Sequence, residues 1–210
     1  MRRKLGALCL ALLGGAAFFW FIVMRLLTRW HGGWRCPYAW AWMVDNPFRR
    51  WYTRHVLDRT GIRPGEQVLE LGPGPGAFTL EAARRTEPGG ALIAVDVDPR
   101  MVADLMQKVQ GSDLSVRAYV ADAHSLPLDD ESIDRAFVVT VLAEIPDPVR
   151  ALIELRRVLR SDGVLSITEE FLDPDYPLPR TTIRWAEQAG FELAERHGGW
   201  WLYTLNFVKR

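Results

Sequence analysis

Cysteine, lysine and histidine are scarce in this 210-residue chain, and each scarcity closes a route. Two cysteines, Cys9 and Cys36, are too few for a disulfide framework and fit a reducing compartment. Three lysines, Lys4, Lys108 and Lys209, leave no Tyr-x-x-x-Lys pair of the kind many hydride-transferring enzymes use. Four histidines, His31, His55, His124 and His197, stand far apart, and no C-x-x-C or H-x-x-x-H spacing occurs, so no metal site is expected. Net charge is absent too, and internal repeats and low-complexity tracts are missing.

The zero net charge hides a strong asymmetry. Residues 1–63 carry eleven Arg/Lys against two Asp/Glu, and residues 64–210 carry fifteen against twenty-four, so the front is +9 and the body −9. An acidic body argues against a nucleic-acid partner. Residues 5–24 form an uncharged run, which as a helix covers roughly the 30 Å of a bilayer core. Arg2, Arg3 and Lys4 precede it, and Arg25 and Arg29 follow. A cleaved signal peptide is the alternative, but the run is long for one, and its small-residue patch is followed by Phe18-Phe19-Trp20-Phe21. Six of the nine tryptophans lie between Trp20 and Trp51, interleaved with arginines, as at a membrane interface. The expected layout is an anchor at 1–30, an aromatic and basic linker with a capping helix at 31–61, and one domain at 62–210.

Within that domain the chemistry centres on Val68-Leu69-Glu70-Leu71-Gly72-Pro73-Gly74-Pro75-Gly76-Ala77. The order is apolar strand, glycine-proline turn, helix, which opens a βαβ nucleotide-binding unit. Gly72 and Gly74 let a ligand approach the backbone, Gly76 lets the helix start pack closely, and free N–H groups at the helix start suit a carboxylate or phosphate. Pro73 and Pro75 remove two donors that a pyrophosphate would need. A ligand with one carboxylate, one ammonium and no phosphate, such as S-adenosyl-L-methionine, fits better. A second strand, 91–95, ends at Asp96, whose carboxylate can accept both hydroxyls of a ribose. Asp98 reads as a solvated loop acid.

With Glu70 two places before the first glycine, the loop resembles the first motif of class I S-adenosylmethionine-dependent methyltransferases. Asp122, after a third strand at 115–120, matches the acid that receives the adenine amino group in that superfamily, and the Ala123 N–H would meet a ring nitrogen. The series EIPDPVRALIELRRVLRSDGVLSITE, Glu144 to Glu169, resembles the ubiquinone/menaquinone C-methyltransferase-like branch. The likeness spans residues 62–208. It implies a Rossmann-like, mostly parallel seven-stranded α/β sheet with one antiparallel strand and helices on both faces. It also implies S-adenosyl-L-methionine as cofactor, bound by Glu70, Gly72, Gly74, Gly76, Asp96, Val97, Asp122, Ala123 and Val139.

Methyl transfer from a sulfonium demands positioning and water exclusion, and a base only where the acceptor arrives protonated. Glu144, just after strand four at 135–140, is the candidate to orient or deprotonate the acceptor, with Glu169 and Glu170 after strand five (164–168) as second candidates. His124 reads as a loop residue. Because the stretch 171–179 is short, the acceptor pocket is expected to borrow walls from residues 34–60, with Trp51 and Tyr52 among them. A small lipophilic acceptor arriving from the membrane is expected, with the domain on the cytoplasmic side. The alternative is a catalytically silent, membrane-tethered module that binds the cofactor.

Overall fold

The computed structural model describes residues 36–210, together with Phe19, Val23 and Leu26. The expected anchor at 1–30 lies outside the described residues apart from those three. Among the described residues no helix is long and apolar enough to cross a membrane.

Seven strands form one sheet: β1 (Gln67–Leu71), β2 (Ala91–Asp96), β3 (Val116–Val120), β4 (Ile133–Val139), β5 (Leu159–Glu170), β6 (Phe191–Gly198) and β7 (Leu202–Lys209). Their order is β3-β2-β1-β4-β5-β7-β6. β1 to β5 run parallel, and β7 runs antiparallel to both β5 and β6. Consecutive residues of the central strands face opposite sides, and both sides are buried. Leu69, Ile93 and Val138 pack one way, and Val68, Leu92 and Phe137 the other. That is why these strands read as unbroken apolar runs rather than as alternations.

Seven α-helices, α1 (Ala41–Val44), α2 (Pro47–Thr53), α3 (Val56–Thr60), α4 (Thr79–Thr86), α5 (Pro99–Val109), α6 (Pro148–Val158) and α7 (Pro179–Gln188), surround the sheet among the described residues. α6 and α7 cover one face through Leu152, Leu155 and Ala186. α3 and α4 cover the other through Val56, Leu57, Ala82 and Ala83. Three helices open with the same device, an Asx residue followed by proline. Asn46, Asp98 and Asp147 accept the backbone N–H of Arg49, Arg100 and Arg150 at 2.9, 2.9 and 3.0 Å. Proline follows at the first helical position, where its missing N–H costs nothing. Asp98 is therefore a helix cap, also paired with Arg100 at 2.7 Å, rather than a free loop acid.

Two local expectations change. Residues 38–60, read as helical with Pro37 and Pro47 as boundaries or a kink, form a 3-10 turn at Tyr38–Trp40 followed by α1, α2 and α3; the chain does break just before Pro47, and a further break before Val56 is unexpected. Strand five starts at Leu159 rather than 164, because Leu159 is buried opposite Ile133 and a register shift between Ile133 and Arg135 accommodates Ser161-Asp162-Gly163 inside the strand.

Candidate active site

β1 pairs with β2 on one side and β4 on the other, so the strand order reverses at β1. In such sheets ligands bind outside the carboxyl ends of the strands at that switch point. A cavity of about 750 Å³ lies there, a size suited to a small-molecule ligand. It is lined by Gly72 and Gly74 after β1, Asp96 and Val97 after β2, Asp122 and Ala123 after β3, and Val139 and Glu144 from β4 and its following turn.

The glycine turn is held from several directions. The Gly72 N–H donates to Val95 O at 2.8 Å, and the Gly74 N–H donates to Asp96 Oδ2 at 3.0 Å. The other carboxylate oxygen of Asp96 accepts the Asp98 N–H at 2.9 Å. Each oxygen keeps lone-pair capacity for a ligand hydroxyl. Burial raises the Asp96 pKa, and these backbone donors oppose the rise. Gly72 has φ +69°, and a Cβ there would lie 2.5 Å from Val141 Cγ2. A Cβ on Gly76 would lie 2.6 Å from Leu105 Cδ1 of α5. Gly76 thus serves helix packing and does not line the cavity.

Glu70 also differs from its expected place. Its side chain is buried beneath the turn and accepts the Thr79 hydroxyl at 2.6 Å, which ties β1 to the first residue of α4. Burial pushes its pKa up to about 8. Glu70 braces the turn from behind and is not a wall of the cavity. Asp122 is exposed at the rim, where its Oδ1 accepts the His124 N–H at 2.9 Å and lies 2.7 Å from His124 Nδ1.

Residues 36–52 form a strap along the cavity, from α5, where the Tyr38 hydroxyl donates to Asp104 Oδ2 at 2.9 Å, to the ends of β4 and β5. Arg49 of the strap is buried. Its Nε donates to Glu170 Oε1 at 2.6 Å, one terminal nitrogen donates to Thr140 Oγ1 at 2.9 Å, and the other donates to Val44 O at 2.7 Å. The Tyr52 hydroxyl donates to the second oxygen of Glu170. Thr140 sits at φ +54°, an uncommon backbone state for a β-branched residue, held by Arg49 and by its N–H bond to Thr168 O at 2.8 Å. Toward the chain's front, the Cys36 N–H donates to Glu144 Oε2 at 3.1 Å. Burial, then Asp173, raises the Glu144 pKa well above its usual range, and burial lifts Asp173 to about 7.

Two expected acceptor residues are displaced. Trp51 is 63 % exposed on the outer face of α2, while Phe48, Arg49 and Tyr52 of the same helix line the cavity. Glu169 is fully buried beside Tyr203 on β7, with no hydrogen-bond partner for either oxygen, and it does not line the cavity. Its neighbour Glu170 faces the site instead, since successive strand residues point to opposite faces. Arg49, Thr140, Cys36 and Asp173 were not singled out from sequence. Arg49 alone left a signal, as one of two adjacent cations, with Arg50, in a run of aromatics ahead of an acidic body.

Residues 69–167 match the family model described as a methyltransferase domain. An uncharacterized 37.1 kDa protein in transposon TN4556 of Streptomyces fradiae is 39% identical over 131 residues, covering 61% of this chain and 38% of that protein. A ubiquinone/menaquinone biosynthesis C-methyltransferase of Citrifermentans bemidjiense is 31% identical over 132 residues, covering 62% of this chain and 55% of the relative. The chain therefore spans about half the length of the curated relatives it matches, or less. Among solved structures, a SAM-dependent methyltransferase from Aquifex aeolicus superposes with TM-score 0.78 at 21% identity, covering 84% of this chain and 100% of that one. The [4+2]-cyclase SpnF also shares the fold, with TM-score 0.66 at 22% identity, covering 75% of this chain and 79% of that one. Residues 69–167 are thus similar to a methyltransferase domain, on a fold shared with proteins that use S-adenosyl-L-methionine as cofactor.

The side chains suit that cofactor. Asp96, Asp122, Asp173 and Asp175 line the cavity, whereas its cations Arg49 and Arg100 are already paired with Glu170 and Asp98. A wall of carboxylates favours a ligand bearing a sulfonium and an ammonium over one bearing phosphates. Among the described residues no group of His, Cys, Asp and Glu is placed to hold a metal ion.

Proposed function

We propose that this chain transfers a methyl group to a small lipophilic acceptor that reaches the site from a membrane, with the domain on the cytoplasmic side of an N-terminal anchor. The observation that carries this reading is the division of the cavity by strand order. Adenosyl-type contacts (Asp122, Asp96) come from β3 and β2, the glycine turn from β1, and the remaining space lies over β4 and β5 beneath the strap. The anchor rests on the uncharged run at 5–24 and its flanking arginines, and the lipophilic acceptor on the aromatic strap.

S-adenosyl-L-methionine supplies an activated methyl on a sulfonium when bound. Asp96 would hold the ribose hydroxyls, Asp122 and the Ala123 N–H the adenine edge, and Gly72 and Gly74 the amino-acid end. The strap excludes water from the space over β4 and β5, with Arg49 joining it to both strand ends. Glu144, kept protonated to higher pH than a free carboxyl by its burial, orients the acceptor by donating a hydrogen bond. Where the acceptor loses a proton, the Tyr52–Glu170 pair can take it. The Tyr52 oxygen accepts from the acceptor as its own proton passes to Glu170.

The test is calorimetry with S-adenosyl-L-methionine and its demethylated product, followed by product analysis after incubation with a membrane lipid extract. Labelled methyl in the lipid phase supports the reading. Labelled water-soluble products alone would remove the lipophilic acceptor, and binding without any product would favour a silent, tethered module.

A further inference from the structure

The structure brings together two aromatic clusters, 150 residues apart in sequence, beside one cavity mouth. The first belongs to the strap. Phe48 is 63 % exposed, stacks on Trp51 at 6.2 Å and also lines the cavity. The second is the β6–β7 turn. Glu170 pairs with Leu202, so that turn meets the carboxyl end of β5, the edge on which the cavity opens. The Phe171 N–H donates to Trp201 O at 2.7 Å, and the Phe171 ring lies 5.2 Å from Trp200 and 5.4 Å from Trp201. Trp200 is 65 % exposed, and Leu172, which follows Phe171, is both exposed and part of the cavity wall. Large aromatics concentrated at one edge, beyond what the core uses, mark an interaction surface.

We propose that this rim is a second membrane contact, in which Trp200 and Trp201 enter the headgroup region of an anionic bilayer and seat the cavity mouth on it. Two observations select a bilayer as the occupant. The first is chain length. The described chain starts at Cys36, itself a lining residue, and the uncharged run ends at Met24. The intervening segment spans at most roughly 40 Å, so a chain anchored by that run holds the mouth within reach of the surface. The second is charge. Residues 1–35 carry six Arg/Lys and no Asp or Glu, so an anionic leaflet attracts the front of the chain that leads into the strap. Arg54 lies over Trp51 at 5.4 Å and Arg100 over Tyr38 at 4.8 Å, which pairs cations with aromatics as an interface requires. The inference rests on the membrane reading above, and adds a contact that the N-terminal run does not supply.

The full chain is incorporated into vesicles of phosphatidylcholine and anionic phosphatidylglycerol whose acyl chains are brominated near the headgroup, and tryptophan quenching is read. In the Trp200→Phe/Trp201→Phe variant the quenched share of emission is expected to fall below wild type. In Trp185→Phe, which removes a half-buried tryptophan that packs on the core, that share is expected to rise. A rise in the double variant would show that Trp200 and Trp201 do not meet lipid, and would overturn the proposal. Self-association in detergent that disappears in the double variant, with quenching unchanged, would overturn it in favour of a second copy. Flotation of the wild type separates the two levels: a chain that floats with unquenched rim tryptophans defeats only this inference, whereas a chain left in the aqueous phase defeats the membrane reading as well. Calorimetric cofactor binding confirms folding of each variant, and Trp200→Phe alone serves if the double variant fails it.

Discussion

Arg49 and Glu170 meet at 2.6 Å across 121 residues of chain, both buried, where the strap crosses the end of β5. With the Arg49 bond to Thr140, this pair joins the strap to two adjacent strand ends. Replacing one member leaves the other buried without its charge partner, which typically costs about 3–5 kcal/mol. Arg49→Met is expected to lower unfolding free energy by about that amount in urea titrations. Arg49→Met with Glu170→Gln is expected to recover part of it. If the double variant is less stable than the sum of the singles, the pair is not the latch.

Asp96 bridges the Gly74 N–H to the cavity. Asp96→Asn keeps the shape and removes the charge, and a charged hydrogen bond contributes about 1.5–3 kcal/mol. Cofactor affinity by calorimetry is therefore expected to fall by roughly 10- to 150-fold, and the melting temperature is expected to fall as well, because the new NH2 cannot accept the N–H of Gly74 or Asp98.

Gly72→Ala introduces a Cβ at φ +69° and 2.5 Å from Val141 Cγ2. The backbone state alone costs an alanine about 1–2 kcal/mol. Shortening the neighbour in Gly72→Ala/Val141→Ala relieves the collision and leaves the backbone cost. Thermal unfolding of the single and double variants separates the two contributions.

Folded Glu70 holds its proton up to about pH 8, against an ordinary value of 4.5. Between those values folding takes up a proton, so its contribution is fully present below pH 4.5 and is lost as pH rises through 8. Glu70→Gln is expected to flatten that part of the stability profile, by on the order of a few kcal/mol at the alkaline end. Unfolding curves of the two proteins across that range report the difference. Parallel profiles would exclude Glu70 as the titrating group.

Glu144→Gln keeps an acceptor for the Cys36 N–H and a donor for the cavity. Turnover near neutrality is expected to stay within a few-fold of wild type, while the loss of activity on ionisation of Glu144 disappears from the pH profile. Glu144→Ala is expected to lower kcat with cofactor affinity retained. Should Glu144→Gln abolish turnover, the side chain acts as a base rather than as a donor.

The sheet was largely legible because its strands are buried on both faces and bounded by glycine, proline and acids. Val68 to Leu71 and Ala91 to Asp96 could be read with no partner in view. Helix starts at Asp98-Pro99 and Asp147-Pro148 carried their own local chemistry, although Asp98 looked like a loop residue because capping depends on where its side chain turns. The acceptor side was less legible. α2 has only seven residues, too few for periodicity to decide between Trp51 and the Phe48–Tyr52 face. Glu169 and Glu170 differ by one step of the pleat, so the choice between core and cavity rests on a register that sequence does not show. The Cys36 bond to Glu144 joins positions 108 apart, and nothing local announces it.

Strand order has a consequence for how such a protein diversifies. The hairpin turn stands at the end of β5, and the strap crosses the mouth from Glu170 of β5 to Asp104 of α5. Exchanging the thirty or so residues before β1, together with the three at the hairpin tip, would reshape the mouth while leaving Asp96 and Asp122 in place after β2 and β3. New specificities can thus arise by grafting at the periphery, with the parallel strands kept as an unaltered chassis.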